Sequence, residues 1–299
     1  MAAATGIGVV FNSTVPRFLQ TFPDAVDYVE LIPETLWTDR GRGEEQRYVD
    51  VPAALLELST LAQRLPIACH GVGLSIGSAL PLDEEHLAKL REVLQRYGVT
   101  RFSEHLGFSR VADARGADRH IGVGLPIPCD EELLVWMIGR VRRAIEVLGT
   151  SIIFENGVRH TPFVDEDMAE PVFLNRLAAA TGCGMLLDLH NLYVDCRNNG
   201  WRADDYLGQL DLGIVREIHM AGGSTIGNAY TDSHAGPCPN AVWRLLERIA
   251  PCCPNLEGIT FEFHDSYYPA FGAEVLRREL ERLDDVWLAR TGMRVGHVA

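Results

Sequence analysis

The sequence predicts a single-domain α/β protein with a (β/α)8, or TIM-barrel, fold over residues 1–299. Eight short apolar runs recur along the chain, and each is followed by a stretch with the pattern of a helix. With 47% apolar residues the chain can bury one large core, and no Pro/Gly/Ser-rich linker or charge block divides it. Eight strand–helix units in this length are typical of the barrel. The runs, interpreted as strands, are Gly6–Asn12, Tyr28–Glu34, Pro66–Gly71, Arg101–Leu106, Ser151–Asn156, Met185–Asn191, Glu217–Met220 and Ile259–Asp265.

The helices are predicted from capping residues and from apolar residues that share one face. In the third helix, Asp83 is suited to the N-cap, Leu87, Leu90 and Leu94 fall on one side, and Gly98 ends the segment. The same reasoning predicts the other helices near Val15–Thr21, Val51–Arg64, Asp130–Leu148, Asp167–Ala180, Asp204–Leu210, Ala241–Ile249 and Ala273–Arg290.

The strands are almost continuously apolar, which favours a parallel sheet covered by helices on both faces. A doubly wound open sheet is the alternative. Against it, the first strand, in GIGVVFNS, lacks the third glycine of a phosphate-binding turn and the helix that should follow at once. Two longer connections, Ser109–Cys129 and Ala221–Asn240, lie where barrel enzymes carry lids and substrate loops.

The acidic charge argues against two classes of partner. With 27 basic and 41 acidic residues the net charge is −14, which disfavours nucleic acid or an anionic membrane as the main partner. The N-terminus lacks a signal-peptide pattern and no run of about 18 apolar residues occurs, so we expect a cytoplasmic protein. Seven cysteines without CxxC spacing indicate free thiols rather than a disulfide or zinc framework.

Side chains of metal-ligand type stand at the ends of the predicted strands, which converge at one mouth of a barrel. Burying so many imidazoles and carboxylates together requires compensating protons or cations, and cations are the less costly of the two. A His/carboxylate set without thiolates favours iron, manganese or zinc, and this set exceeds what one ion needs, so we expect two or three ions. Glu155, in the middle of the set, is expected to bridge two of them. The converging residues are His70, His105, Glu155, Asp188, His219, Asp232, His234 and Glu262.

Short spacings within this set support chelation. Asp232 and His234 are two residues apart, so an extended loop would aim both the same way, and Asp188 and Asn191 are three apart where the sixth strand gives way to a turn. Two further pairs share a strand face, and each is expected to supply one ligand and one residue that orients an imidazole. These pairs are Glu217 with His219 and Glu262 with His264.

Two glycine-rich stretches, His70–Ser78 and Ala221–Gly227, flank the predicted cavity. Their backbone N–H groups are suited to bind an anion or a substrate carboxylate. The alternative is that both are simply tight connections between a strand and a helix. A phosphate site would normally carry a basic side chain, and the nearest one to the first stretch is Lys89.

Seven motifs, taken in order, resemble those of the multinuclear non-haem iron-dependent oxidative enzymes, a family formerly described as a bacterial domain of unknown function. They span about residues 6 to 270, and their ordered set is specific although each motif alone is weak. The motifs are HGVGLSIGS, SEHLGFS, the Glu–Asn of FENG, LLDLHNLYV, EIHMAGG, TDSHAGPCPNAVW and the Glu of FEFHD.

The resemblance implies a (β/α)8 barrel with two or three irons, part ferrous and part ferric, that use dioxygen to modify a side chain of a ribosomally made peptide. Cysteine is the expected target, with Asp or Asn as the alternative, and a small partner protein often recruits the peptide leader. Of the implied ligands, Glu155, Asp188 and His234 are expected to be central to catalysis. The implied iron ligands are His70, His105, Glu155, Asp188, Asn191, His219, Asp232, His234 and Glu262.

Three positions depart from the family pattern. The family commonly has Asn at His190, a His at Gly223 and a Ser/Tyr-rich stretch at Gly157–His160. His190 is expected to add or replace a ligand. The other two departures are expected to alter contacts with the substrate.

Two other functions fit the residues. One is a divalent-metal sugar isomerase or phosphodiesterase of the xylose isomerase or endonuclease IV type. Such enzymes also carry Glu, Asp and His at the ends of their barrel strands, although a nuclease would be expected to have basic residues around the opening. The other is a metal-binding scaffold that presents a peptide without turnover.

Overall fold

Eight parallel strands form a closed barrel in the computed structural model, which describes residues 4–160 and 163–292. Each strand pairs with its neighbours in chain order, and the first pairs with the last, Gly6 opposite Gly258. The predicted fold class is therefore confirmed; residues 1–3, 161–162 and 293–299 of the predicted domain lie outside the described residues. The strands are β1 (Gly6–Val10), β2 (Tyr28–Leu31), β3 (Ile67–Gly71), β4 (Phe102–His105), β5 (Ile152–Glu155), β6 (Gly184–Asp188), β7 (Val215–Ala221) and β8 (Gly258–Glu262).

Helices surround the barrel and bury one apolar face each. In α10, Leu276, Leu280, Leu283 and Trp287 are buried, at the four positions that a 3.6-residue period brings together. Within the described ranges, no helix is both long and apolar enough to span a bilayer. The helices are α1 (Val15–Thr21), α2 (Pro52–Leu61), α3 (Glu84–Tyr97), α4 (Glu131–Leu148), α5 (Glu170–Thr181), α6 (Leu189–Asn199), α7 (Ala203–Leu207), α8 (Asn240–Ile249), α9 (Tyr268–Phe271) and α10 (Ala273–Thr291).

Caps set the ends of the helices as the sequence predicts. The Asp83 side chain accepts a hydrogen bond from the His86 backbone N–H at 3.1 Å and so begins α3. Gly98, with φ +61°, ends it in the left-handed conformation that favours glycine.

The sixth unit differs from the prediction. Helix α6 starts directly after β6, where we expected a turn followed by a helix only near Asp204. The segment LHNLYVDCRNN contains several residues of low helix propensity, so its pattern did not indicate a helix. Asp188 caps it by accepting from the Asn191 backbone N–H at 2.7 Å, and packing of α6 against α8 and β7 stabilises it.

Both long connections contain antiparallel hairpins. The 107–126 hairpin pairs Gly107–Ala112 with Asp118–Pro126, and the 224–231 hairpin pairs Ser224–Ile226 with Ala229–Thr231. In the first, Phe108 pairs with Leu125 and Arg110 with His120, so residues 121–124 bulge out of register. A third hairpin joins Trp37–Asp39 to Tyr48–Asp50.

A buried ion pair lies near the N-terminal ends of the barrel strands. Arg101 donates to Glu217 through Nε at 2.9 Å and Nη2 at 3.1 Å. Glu217 also accepts from Tyr28 at 2.9 Å and Thr260 at 2.7 Å. Glu217 lies in one group with Glu30 and His219, with atoms within 4.8 Å, but Glu30 rather than Glu217 is the carboxylate that contacts His219 Nε2, at 2.8 Å.

Candidate metal centre

The C-terminal ends of β3 to β8 and the loop after the 224–231 hairpin bring the predicted ligands together. His70, Glu155, Asp188 and His219 are buried on the inward faces of their strands. His105 lies at the rim, with a side chain 39% exposed. The remaining predicted ligands, Asn191, Asp232, His234 and Glu262, line the same space from α6, the loop and β8.

Glu155 lies between two imidazoles. Its Oε2 is 3.3 Å from His70 Nε2 and 3.2 Å from His105 Nε2, yet it has no hydrogen-bond partner among the described residues, so neither contact is aligned as a hydrogen bond. Its other oxygen, Oε1, accepts from Asn191 Nδ2 at 2.9 Å. One oxygen is thus held in place while the other faces two ligand nitrogens.

Asp188 is held in the same way. Oδ1 accepts from the Asn191 backbone N–H, whereas Oδ2 is buried and has no hydrogen-bond partner in the described part of the chain. Asn156 fixes the backbone of Asp188 from both sides, donating to its carbonyl at 3.0 Å and accepting from its N–H at 2.9 Å. Ligand atoms of Asp188, Glu155 and His219 lie within 4.8 Å of one another.

His219 is completely buried between two carboxylates. Its Nε2 is 2.8 Å from Glu30 Oε2 and its Nδ1 is 3.4 Å from Glu262 Oε2, without the alignment of a hydrogen bond in either contact. Glu30 was missed in the sequence because it lies inside the run YVEL. The signal that would have found it is a lone charge two residues after Tyr28, on the inward face of β2.

Asp232, His234 and Glu262 form the outer part of the centre. His234 Nε2 is 3.1 Å from Asp232 Oδ2 and 3.5 Å from Glu262 Oε2. The loop is not extended as predicted, because His234 has φ +50°, a left-handed conformation. His264 is mostly exposed and bonds Ser266, so it does not orient Glu262.

Burial shifts the pKa values of several side chains in the centre. Burial, with the neighbouring Asp188 carboxylate, raises the pKa of Glu155 well above its usual range. Burial and Asp232 raise the pKa of Asp188 to about 6, and burial and Glu217 raise that of Glu30 to about 7. Burial and the neighbouring imidazole of His105 lower the pKa of His70. At Glu262 and Asp232 the facing imidazole of His234 outweighs burial and lowers the pKa. At Glu155 and Asp188 burial outweighs the neighbouring imidazoles, so a bound cation would supply charge compensation that these two carboxylates lack.

The chemistry of these side chains fits metal ions. Of the twelve buried side-chain atoms without a hydrogen bond among the described residues, five belong to the predicted ligands and two more to the neighbouring Glu30; the five are Glu155 Oε2, Asp188 Oδ2, Asn191 Oδ1 and both His219 nitrogens. Buried polar atoms are rarely left unpaired unless an ion or a water binds them. Oxygen and imidazole donors in this mixture suit iron, manganese or zinc.

The glycine-rich stretch after β3 binds the protein's own carboxylates. Gly73 N–H donates to Glu34 Oε1 at 3.0 Å, and Leu74 N–H donates to Glu104 Oε2 at 3.1 Å. Glu104 is buried and packs under His105, where Oε1 accepts from the His105 backbone N–H at 3.1 Å. The backbone N–H groups of Gly73 and Leu74 are therefore not available to bind an anion or a substrate carboxylate.

Two cavities open onto the centre. One, of about 310 Å³, lies between the 107–126 hairpin and the centre, and its wall includes Val123, Leu125, His105 and Asp232. The other, of about 590 Å³, lies beside β1 and β8 and also reaches His105 and Asp232. The two cavities share this rim.

A family model and several relatives match most of this chain. The family model described as RiPP precursor modification enzyme MbnB/TglH/ChrH matches residues 4–287. A UPF0276 protein of Rhizorhabdus wittichii is 35% identical over 239 residues, covering 79% of this chain and 80% of the relative. A UPF0276 protein of Caulobacter vibrioides is 32% identical over 233 residues, covering 78% of each.

Similarity to solved structures shows the fold alone. Endonuclease IV from Thermus thermophilus has a TM-score of 0.57 and 16% identity, and covers 96% of this chain and 99% of its own. D-psicose 3-epimerase from Clostridium cellulolyticum has a TM-score of 0.59 and 9% identity, with coverage of 95% and 99%. Both share the barrel, but identities this low carry no argument about chemistry.

Proposed function

This chain belongs to the RiPP precursor modification enzyme family MbnB/TglH/ChrH, and on that premise we propose that it is a multi-iron enzyme that uses dioxygen to oxidise a side chain of a ribosomally made peptide. The observation that carries the proposal is the set of buried ligand atoms without hydrogen bonds around Glu155 and His219. Such a set is suited to hold metal ions and leaves room beside them for a substrate.

We propose nine ligands for two or three irons, part ferrous and part ferric. Iron would supply dioxygen activation and the acidification of a bound thiol or amide. The geometry supports Glu155 as the residue shared between ions, since it belongs both to a group with His70 and His105 and to a group with Asp188 and His219. Asp188 and His234 complete the residues that we place at the reacting centre.

The chain's own residues then have distinct tasks. Asn191 holds one oxygen of Glu155, and Asn156 holds the backbone of Asp188, so both carboxylates are oriented before any substrate arrives. Val123 and Leu125 give one side of the cavity an apolar wall, and a peptide bound against this wall would displace water there.

The substrate that we propose is a cysteine-containing precursor peptide, with Asp or Asn as the alternative target. A small leader-binding protein is the proposed partner. Sugar isomerisation and phosphodiester hydrolysis are supported only by the shared barrel, and the same site without turnover would be a peptide-presenting scaffold.

The first test is the metal content of protein purified without oxygen, with spectra before and after brief exposure to air. About two to three irons per chain with an oxygen-sensitive mixed-valence signal would support the proposal. One or two zinc, manganese or cobalt ions without a redox response would contradict it and favour sugar or phosphodiester substrates.

The second test is co-expression with short open reading frames beside the gene, followed by mass spectrometry of the peptides. Asp188→Ala and Glu262→Ala should abolish the mass change but leave peptide binding intact. Peptide binding without a mass change in the wild-type, iron-loaded protein would favour the scaffold.

A further inference from the structure

His190 is a buried imidazole whose two nitrogens both meet protein groups. Its Nδ1 is 2.7 Å from Asp232 Oδ1, and its Nε2 is 3.3 Å from the Tyr230 hydroxyl. The side chain is fully enclosed at the first turn of α6. With both nitrogens engaged in this way, His190 is not available as a ligand, contrary to the expectation from the sequence.

The partners fix which nitrogen carries the proton. A carboxylate can only accept, so His190 Nδ1 must be protonated and donate to Asp232. The Tyr230 hydroxyl accepts from the Gly223 backbone N–H at 2.9 Å and is free to donate its own proton to Nε2. Gly223, Tyr230, His190 and Asp232 thus form one directed chain of hydrogen bonds.

A second residue of α6 holds Tyr230 in place. Asn198 donates to the Tyr230 carbonyl at 2.7 Å and accepts from its N–H at 2.9 Å. Arg197 lies over the Tyr230 ring at 4.5 Å. Three residues of helix α6, His190, Asn198 and Arg197, therefore contact Tyr230. Tyr230 lies in the 224–231 hairpin, two residues before Asp232.

This arrangement requires a glycine at position 223. A Cβ there would collide with the Thr231 carbonyl oxygen and would lie 2.9 Å from the Tyr230 hydroxyl. His190 and Gly223, which depart separately from the family pattern in the sequence, are therefore parts of one structural unit.

We infer that His190 is a positioning residue for Asp232: it holds Oδ1, so that Oδ2 faces His234 and Glu262 and completes the outermost metal position. The inference rests on the proposed function insofar as that position binds a metal. Asp232 Oδ2 is 3.1 Å from His234 Nε2, and the same nitrogen is 3.5 Å from Glu262 Oε2. Residues that orient a ligand in this way typically contribute about 10- to 100-fold to metal affinity.

Two substitutions of similar size separate positioning from packing. In His190→Asn, the amide nitrogen occupies the place of Nδ1 and can still donate to Asp232; in His190→Leu, the space is filled without a donor. We expect His190→Asn to retain the wild-type metal content and its spectrum. His190→Leu should lose about one ion per chain at limiting metal, with about 10- to 100-fold weaker affinity for that ion.

Metal content is measured per chain after titration with ferrous iron, and also with zinc and manganese, beside circular dichroism as a check of folding. A folded His190→Leu protein with the full metal content and unchanged affinity would overturn the inference. So would a His190→Asn protein that loses the ion to the same degree as His190→Leu. If His190→Leu does not fold, Tyr230→Phe decides the question: several-fold weaker binding of one ion supports positioning, and unchanged binding overturns it.

These outcomes are distinct from failure of the proposed function. A wild-type protein that binds zinc or manganese but not iron would contradict the iron enzyme, while a loss of one ion in His190→Leu would still support the role of His190. A wild-type protein that binds none of the three metals would overturn both.

Discussion

Glu30 and His219 face each other inside the barrel, with Glu30 Oε2 2.8 Å from His219 Nε2 and both side chains fully buried. The carboxylate orients the imidazole so that its other nitrogen points toward Glu262. Carboxylates behind metal-binding histidines commonly have this role. Glu30 is therefore expected to influence the metal centre through the orientation of His219.

Glu30→Gln should change stability and metal affinity in opposite directions. In the metal-free protein, burial and Glu217 raise the pKa of Glu30 from 4.5 to about 7. Because the unfolded chain releases this proton at lower pH, the wild type loses stability as the pH rises from about 4.5 to 7, by about 1.4 kcal/mol per pKa unit. The metal-free variant should be more stable than the wild type at pH 8 and similar at pH 4.5, yet bind metal about 10- to 100-fold more weakly. Urea unfolding at both pH values and metal titration check this; a variant less stable at pH 8 with unchanged affinity would refute it.

Glu155→Ala and Asp232→Ala should differ in how many ions they lose. Glu155 is shared by two groups of ligand atoms, so its removal should release about two ions, whereas Asp232→Ala should release about one. Metal analysis of the two folded variants beside the wild type measures the difference. Equal losses would mean that Glu155 does not bridge.

Removal of bound metal should destabilise the protein, because the buried carboxylates around Glu155 then lack a compensating charge. Chelation should lower the Tm of the wild type, and added metal should restore it. Glu155→Ala serves as the control, since its Tm should respond far less to either treatment. A wild-type Tm that is indifferent to chelator, in protein shown to lose its metal, would argue against this account.

Val123→Asp should impair processing of the peptide without affecting the metal. Val123 is 50% exposed and forms part of the apolar wall of the smaller cavity, so a charge there should lower conversion by about tenfold. Val135→Asp is the matched control, because Val135 is 71% exposed on α4, among residues that line neither cavity. Peptide conversion and iron content are measured for both; equal effects of the two substitutions would remove the cavity from the substrate path.

The Arg101–Glu217 pair should contribute to stability mainly because removing one of its charges leaves the other buried and unpaired. Arg101→Met leaves Glu217 buried without its cation and should destabilise the protein by about 3–5 kcal/mol. The double variant Arg101→Met with Glu217→Gln should recover much of this loss. Denaturant unfolding measures both, and a double variant as unstable as the single one would show that packing, not charge, dominates.

The barrel could be predicted because each strand is a separate short apolar run. The residues that end these runs could be placed together because the C-terminal ends of all strands in a (β/α)8 barrel lie at the same opening. Helix α6 could not be predicted, because its stability comes from the Asp188 cap and from packing rather than from its sequence pattern. Glu30 was hidden inside an apolar run. The role of His190 depends on Tyr230, forty residues away in the sequence, and only the folded hairpin brings the two together.

The 107–126 hairpin forms one wall of the cavity but contains none of the nine proposed metal ligands. In the proposed enzyme, the metal ligands and this wall of the cavity are thus encoded in separate stretches of the chain. A lineage could exchange or lengthen this hairpin, and so change which peptides the proposed enzyme accepts, without disturbing the nine proposed ligands. Divergence among relatives should therefore concentrate there, and grafting the hairpin between them is a direct route to altered specificity.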